Sequence, residues 1–199
     1  MKRIFDIIFS LLGLVISAPL LIIMALRIKR EDKGPILYVG KRAGYRGKTF
    51  GMYKFRTMVV KADKIGGPTT SDDDPRITRV GHFLRKYKLD ELPQLLNVLK
   101  GEMSIVGPRP EVLGEVEEFK EQYEKILTVR PGITDYASLR FPNEGEIVKG
   151  AADPHIAYKE KIQPEKIRLQ MYYAAHHSFL KDVVIIAKTC KALIKKLSF

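Results

Sequence analysis

The stretch LDELPQLLNVLKG, residues 89–101, holds the side chains best suited to chemistry. Asp90 and Glu91 are adjacent carboxylates, and Arg85, Lys86 and Lys88 come just before them. Two carboxylates among several cations suit phosphate transfer, which needs a nucleophile or base and positive charge for the phosphate oxygens. Pro93 fits the first turn of a helix, which puts Asp90 at the N-cap, where the helix dipole favours an ionised carboxylate. Capping alone is the plainer role for an Asp so placed. Neighbouring residues point apart within a regular helix, so joint action by the pair requires an irregular turn.

Two further motifs could hold phosphate. In KFRTM, residues 54–58, Lys54 and Arg56 fall on one face of a strand, since strand side chains alternate. Such a pair could clamp a diphosphate, or could simply be solvated. In GPRP, residues 107–110, Pro108 and Pro110 flank Arg109 and give its guanidinium a stiff mount. The acidic run Asp72, Asp73 and Asp74 is flanked by Gly, Pro, Ser and Thr, which marks a solvated loop more than a metal site. His176 and His177 are adjacent on a helix, diverge, and have no second ligand pair for zinc.

These residues need elements to carry them. Residues 35–58 alternate around Gly44 and Gly47 and predict a β-hairpin or two short strands. Residues 66–76, GGPTTSDDDPR, predict a loop, followed by helices over 78–88 and 90–100, the latter stopped by Gly101. Apolar residues at 112, 116, 119, 123 and 126 predict one helix over 111–129. Residues 133–141 then read as a strand, 142–155 as an irregular loop, and Pro164 opens a helix to about 178. In the last stretch, residues 179–197, Leu180, Val183, Val184, Ala187, Cys190, Leu193, Ile194 and Leu197 share one side, with five lysines mostly opposite. That pattern suits a membrane interface or packing on the domain.

Ile7 to Leu26 is an uncharged run of twenty residues. A straight helix of that length would just cross a bilayer core of ~30 Å. Pro19 interrupts it, with Ser17 and Ala18 before it, and the Ser17 hydroxyl could satisfy a carbonyl that the proline frees. Basic residues flank both ends: Lys2 and Arg3 before, Arg27, Lys29, Arg30 and Lys33 after. Positive flanks mark the cytoplasmic side, so both ends ask for one face of the membrane. The residues leave a re-entrant hairpin and a single span both open; Asp6 and the arginines after the run argue against a cleaved signal peptide.

The chain carries a net charge of +12, unevenly spread. Residues 1–60 hold twelve basic side chains against three acidic, and residues 181–199 five against one. Positive charge thus flanks the apolar run and the last helix, which favours a membrane over nucleic acid. One cysteine, Cys190, excludes a disulfide framework.

Together, residues 1–33, KFRTM (54–58), DPRITRVGHFLRKYKLDELPQLLNVLKGEMSIVGPRPE (74–111) and RPGIT (130–134) resemble the monotopic phosphoglycosyl transferases of the bacterial sugar transferase family. The likeness covers about residues 1–140. It implies a mainly helical α/β (α+β) chain, with a re-entrant anchor over 1–33 broken at Ser17 and Pro19, and a catalytic domain over 34–199 on the cytoplasmic face of the bacterial inner membrane. It implies transfer of a sugar phosphate from a UDP-sugar to polyprenol phosphate, with release of UMP. Asp90 would be the nucleophile of a covalent intermediate and a ligand of Mg²⁺; Glu91 would handle protons or activate the acceptor. Lys54, Arg56, Arg85 and Arg109, the last between Pro108 and Pro110, would hold phosphate oxygens. Ser17-Ala18-Pro19 departs from the family's adjacent Ser-Pro pair. A membrane phosphohydrolase and a non-catalytic basic scaffold are the competing classes. The sugar and the oligomeric state, a homodimer included, are left open.

Overall fold

The computed structural model describes residues 1–67 and 69–197; Pro68 of the 66–76 loop, and Ser198 and Phe199, lie outside the described residues. Helix α1, Lys2–Asp32, is helical throughout, with Pro19 inside it. It is the one helix among the described residues long and apolar enough to cross a membrane. The Ser17 hydroxyl donates to the Gly13 carbonyl at 2.6 Å. The carbonyl that Pro19 leaves without its amide is that of Val15, so Ser17 makes an ordinary back-bond, of the kind that bends helices, rather than repairing the gap.

Both ends of α1 are tied to the rest of the chain. At the start, Lys2 Nζ donates to the Val106 carbonyl at 2.9 Å and pairs with Asp182, and Arg3 donates to the Val98 and Leu99 carbonyls. Buried Asp6 accepts from Ser104 Oγ and the Ile105 amide, both at 3.1 Å. At the far end Met24 and Ile28 join Phe55 and Leu84 in a buried cluster. Between the two ends, Ile8, Phe9, Leu12, Val15, Ile16, Ile22, Ile23 and Leu26 are exposed.

The hairpin forms as expected: β1 (Leu37–Ala43) pairs antiparallel with β2 (Thr49–Phe55), Leu37 opposite Phe55. Helix α2, Arg79–Lys86, is capped by the Thr78 side chain, which accepts from the Gly81 amide. After a 3-10 turn at Leu89–Glu91, α3 runs Gln94–Lys100 and ends at Gly101 in the left-handed region. Strand β3 (Ser104–Val106) lies parallel to β4 (Gly132–Thr134).

The expected helix over 111–129 is two, α4 (Leu113–Glu118) and α5 (Lys120–Ile126), because Phe119 leaves helical geometry at φ −117° and ψ 44°. Four of the five apolar positions meet as read: Tyr123 and Ile126 are buried, with Val116 and Phe119 against them, while Val112 stands outside α4 as its N-cap. The expected strand over 133–141 stops at Thr134. Asp135 caps α6 (Tyr136–Arg140) by accepting from the Ser138 amide, and this diverts the chain into a helix. Within 142–155 a short helix α7 (Glu144–Ile147) forms, and Asp153 caps α8 (Pro154–Lys161), an Asp-Pro start as legible as the one at Pro164. Helix α9 spans Gln163–His176 and α10 spans Phe179–Leu197.

Helix α10 packs on the domain along one side and leaves apolar residues exposed on another. Ile185 is fully buried with Val106 and Tyr173, and Thr189 Oγ1 lies 2.8 Å from Thr134 Oγ1. Leu180, Val183, Val184, Leu193 and Ile194 remain exposed. Phe179 meets Phe5 of α1 edge to face, which joins the exposed apolar side of α10 to that of α1.

Candidate active site

The site is built on the sharp turn between α2 and α3. Lys88 adopts a left-handed backbone at φ 57°, and Leu89–Glu91 follow as a 3-10 turn. Asp90 is therefore not the N-cap of the following helix: Pro93 occupies that position without a side-chain cap, and Asp90 sits inside the turn. Neighbours in such a turn are roughly 120° apart, so the two carboxylates leave in different directions.

Glu91 points at two cations. Lys54 Nζ, from the end of β2, lies 2.9 Å from Glu91 Oε1. Arg109 Nη1 donates to Oε2 at 3.2 Å, while its Nη2 bonds Oε1, a two-pronged pair. Asp90 is buried, and its Oδ1 has no hydrogen-bond partner among the described residues. Burial, and then the charge of Glu91, push the Asp90 carboxyl above its usual range. Burial acts the same way on Glu91, but Arg109 and Lys54 outweigh it and hold Glu91 well below. Glu91 in turn raises the Arg109 guanidinium well above its ordinary value, whereas burial lowers the Lys54 ammonium.

The mount of Arg109 is rigid. Its amide donates to Asp135 Oδ2 at 3.3 Å, and Gln170 Nε2 donates to its carbonyl at 3.3 Å. The GPRP turn presses on residues 131–132: Gly132 N donates to the Pro108 carbonyl at 2.9 Å. A Cβ on Gly132 would lie 2.0 Å from the Gly107 amide, so the two glycines allow this approach. Arg85 is mounted in the same fashion. A Cβ on Gly81 would lie 2.0 Å from the Thr57 carbonyl, so α2 sits directly on Thr57. From there Arg85 Nε donates to Thr57 Oγ1 at 2.9 Å, and its Nη groups have no protein partner among the described residues. Burial lowers the Arg85 guanidinium, with Asp90, Asp74 and Asp72 opposing.

Arg56 is placed differently from Lys54. Its guanidinium pairs with both oxygens of Asp32 at the end of α1 and donates to the Pro35 and Met58 carbonyls at 2.6 and 3.0 Å. The structure thus brings Asp90, Glu91, Lys54, Arg85 and Arg109 to one place, and gives Arg56 to the junction between the end of α1 and the end of β2. Strand alternation put Lys54 and Arg56 on one face, but β2 ends at Phe55, so the alternation does not reach Arg56.

The acidic loop reads as structure. Asp74 pairs with buried Arg76, and Asp72 accepts from Asn143 Nδ2 at 3.0 Å, tying 66–76 to 142–155. No group of three or more His, Cys, Asp or Glu side chains suited to a metal ion occurs among the described residues. His176 and His177 are exposed, and His176 stacks on Tyr172.

Sequence reading missed a second charged cluster behind Arg109. Lys166 is 3% exposed, with Glu111 at 2.8 Å and Glu144 at 2.9 Å. The signal was present along α9 and its N-cap, where Ile162, Lys166, Gln170 and Tyr173 recur at helical spacing, and a lysine and a glutamine in an apolar stripe mark buried polar groups.

Residues 1–196 match the bacterial sugar transferase family. The chain is 34% identical to the undecaprenyl-phosphate galactose phosphotransferase of Salmonella typhimurium, over 98% of this chain and 41% of that protein. It is 36% identical to the exopolysaccharide production protein ExoY of Sinorhizobium fredii, over 96% of this chain and 84% of that protein. It is 43% identical to the undecaprenyl-phosphate glucose phosphotransferase of Komagataeibacter xylinus, over 74% of this chain and 29% of that protein. The chain therefore spans less than half the length of two of these three relatives, and the match falls on the stretch that holds the carboxylate pair and its cations. This chain belongs to the bacterial sugar transferase family.

Proposed function

We propose that this protein transfers a sugar phosphate from a UDP-sugar to polyprenol phosphate at the cytoplasmic face of the membrane. The observation that carries the reading is Asp90: a buried carboxylate with an unpartnered oxygen, beside a Glu91 that is held by both Lys54 and Arg109. An Asp90 oxygen attacks the sugar-linked phosphorus, the phosphoanhydride bond breaks, and UMP leaves. An oxygen of polyprenol phosphate then attacks the same phosphorus, giving polyprenyl diphosphate sugar and restoring the carboxylate. Arg85, Arg109 and Lys54 stabilise charge on the phosphate oxygens.

Glu91 serves first as the anchor of two cations. A carboxyl held so far below its usual range is a weak base. The acceptor asks little of a base, because a phosphate monoester with a second pKa of about 6 is largely ionised at neutral pH.

The donor set fits Mg²⁺, which typically takes one or two carboxylates and completes its shell with substrate phosphates and water. Asp90 Oδ1 is the oxygen without a competing bond. Mg²⁺ held there with the diphosphate oxygens would neutralise the leaving group and favour the charged form of Asp90.

We further read α1 as re-entrant. A straight 31-residue helix is ~46 Å long. Its start is tied to β3, α3 and α10, and its end to Phe55, Leu84 and Arg56 of the same folded unit. A bilayer core of ~30 Å between the two ends is incompatible with both attachments. The exposed apolar sides of α1 and α10 would then face lipid and hold the site near the headgroups.

The deciding experiment supplies a panel of UDP-sugars with polyprenol phosphate and reads UMP and lipid product. Asp90→Asn is expected to abolish transfer and the trapping of labelled sugar phosphate on the protein. Full transfer by Asp90→Asn would sink the covalent role, and donor cleavage without any lipid product would favour a phosphohydrolase.

A further inference from the structure

Arg109 lies between two sets of carboxylates. On one side is Glu91, which it grips with both nitrogens. On the other are Glu111, two residues along the chain, and Glu144 of α7, both within electrostatic reach of the guanidinium. An arginine so placed can turn to either side. Two further cations repel it, one toward each side: Lys54, which sits on Glu91, and Arg42, which interacts with Glu111.

What breaks the balance is Lys166. Its ammonium, on α9, is buried and meets Glu111 Oε1 at 2.8 Å, Glu144 Oε1 at 2.9 Å and the Tyr158 hydroxyl at 2.9 Å. A buried ammonium is costly unless fully paired, and here three segments converge to pair it. The same α9 supplies Gln170 to the Arg109 carbonyl, so one helix sets both the backbone of Arg109 and the charge behind it.

We propose that Lys166 is a positioning residue, which keeps the Arg109 guanidinium on Glu91 by neutralising Glu111 and Glu144. Its ammonium contacts Glu111, Glu144 and Tyr158, not Asp90 or Glu91. The inference rests on the transferase reading of the site only for its consequence, weaker donor binding, and not for the contact itself.

Two readouts test it. The first is the Nε–H signal of Arg109 in ¹⁵N-arginine-labelled full-length protein in detergent, assigned with Arg109→Lys. Lys166→Met is expected to displace that signal, as Arg109 turns toward Glu111 and Glu144, and the triple variant Lys166→Met/Glu111→Gln/Glu144→Gln to return it to the wild-type position. The second is calorimetric binding of UDP with Mg²⁺. Affinity should fall about tenfold in Lys166→Met, the size of one lost charge-assisted interaction, and recover to within about twofold in the triple variant. A purely structural lysine would give loss without recovery, because the triple variant removes the same ion pairs. An Arg109 signal unmoved by Lys166→Met, or displaced equally in both variants, overturns the proposal. If Lys166→Met does not fold, Lys166→Met/Glu111→Gln takes its place, with the same displacement expected from Glu144 alone. A wild-type protein that binds no UDP would count against the transferase reading, while the NMR comparison would still decide the role of Lys166.

Discussion

Glu91 and Arg109 face each other as a two-pronged ion pair, Nη1 donating to Oε2 and Nη2 to Oε1, with Lys54 sharing Oε1. The geometry depends on the planar fork of arginine, which a single ammonium cannot reproduce.

Arg109→Lys should therefore lower kcat/KM for the UDP-sugar by about 10- to 100-fold, the loss of one to two charge-assisted hydrogen bonds. UMP release under initial-rate conditions measures it. A rate within twofold of wild type would mean that charge alone matters at this position.

Asp32→Asn should loosen the attachment of the end of α1 to the rest of the chain, since it removes the charge that pairs with buried Arg56. A loss of about 1–3 kcal/mol is expected for a buried cation left half-paired. The hydrogen bond from Arg56 holds the Asp32 carboxyl below its usual range. Its contribution is therefore complete above the unfolded value, about pH 4, and disappears as pH falls through the lower native value. Unfolding of the two proteins at several pH values should show a gap at pH 7 that closes in acid. A gap independent of pH would exclude the ion pair as its cause.

Single cysteines at positions 2 and 30, in a Cys190→Ser background, should react with an impermeant thiol reagent from the same side of sealed inner-membrane vesicles. Labelling from opposite sides would rule out the re-entrant arrangement of α1.

Ile185→Ala should cost about 2–4 kcal/mol, because it opens a cavity beside Val106 and Tyr173. Val184→Ala, at an exposed position one residue away, should stay within about 0.5 kcal/mol. Denaturant unfolding in micelles compares them; equal losses would place Val184 inside the packed domain as well.

The sequence by itself determined the parts whose signals are local. The β-hairpin followed from alternation, the long apolar helix from composition, and the Asp90-Glu91 pair with its neighbouring cations from spacing along one stretch. The amphipathic character of α10 was equally plain. Only the tertiary structure decided which partners these groups take. Lys54 and Arg56 are two residues apart, yet one reaches Glu91 and the other Asp32, because β2 ends between them. The capping role read for Asp90 gave way to a 3-10 turn, because the left-handed Lys88 reverses the chain before the helix begins. Ion pairs such as those of Lys166 join residues tens of positions apart, and no local pattern of charge specifies which long-range pairs will form. What had looked like one site of adjacent carboxylates is a buried, unpartnered Asp90 beside a Glu91 fixed by arginine and lysine from two other elements.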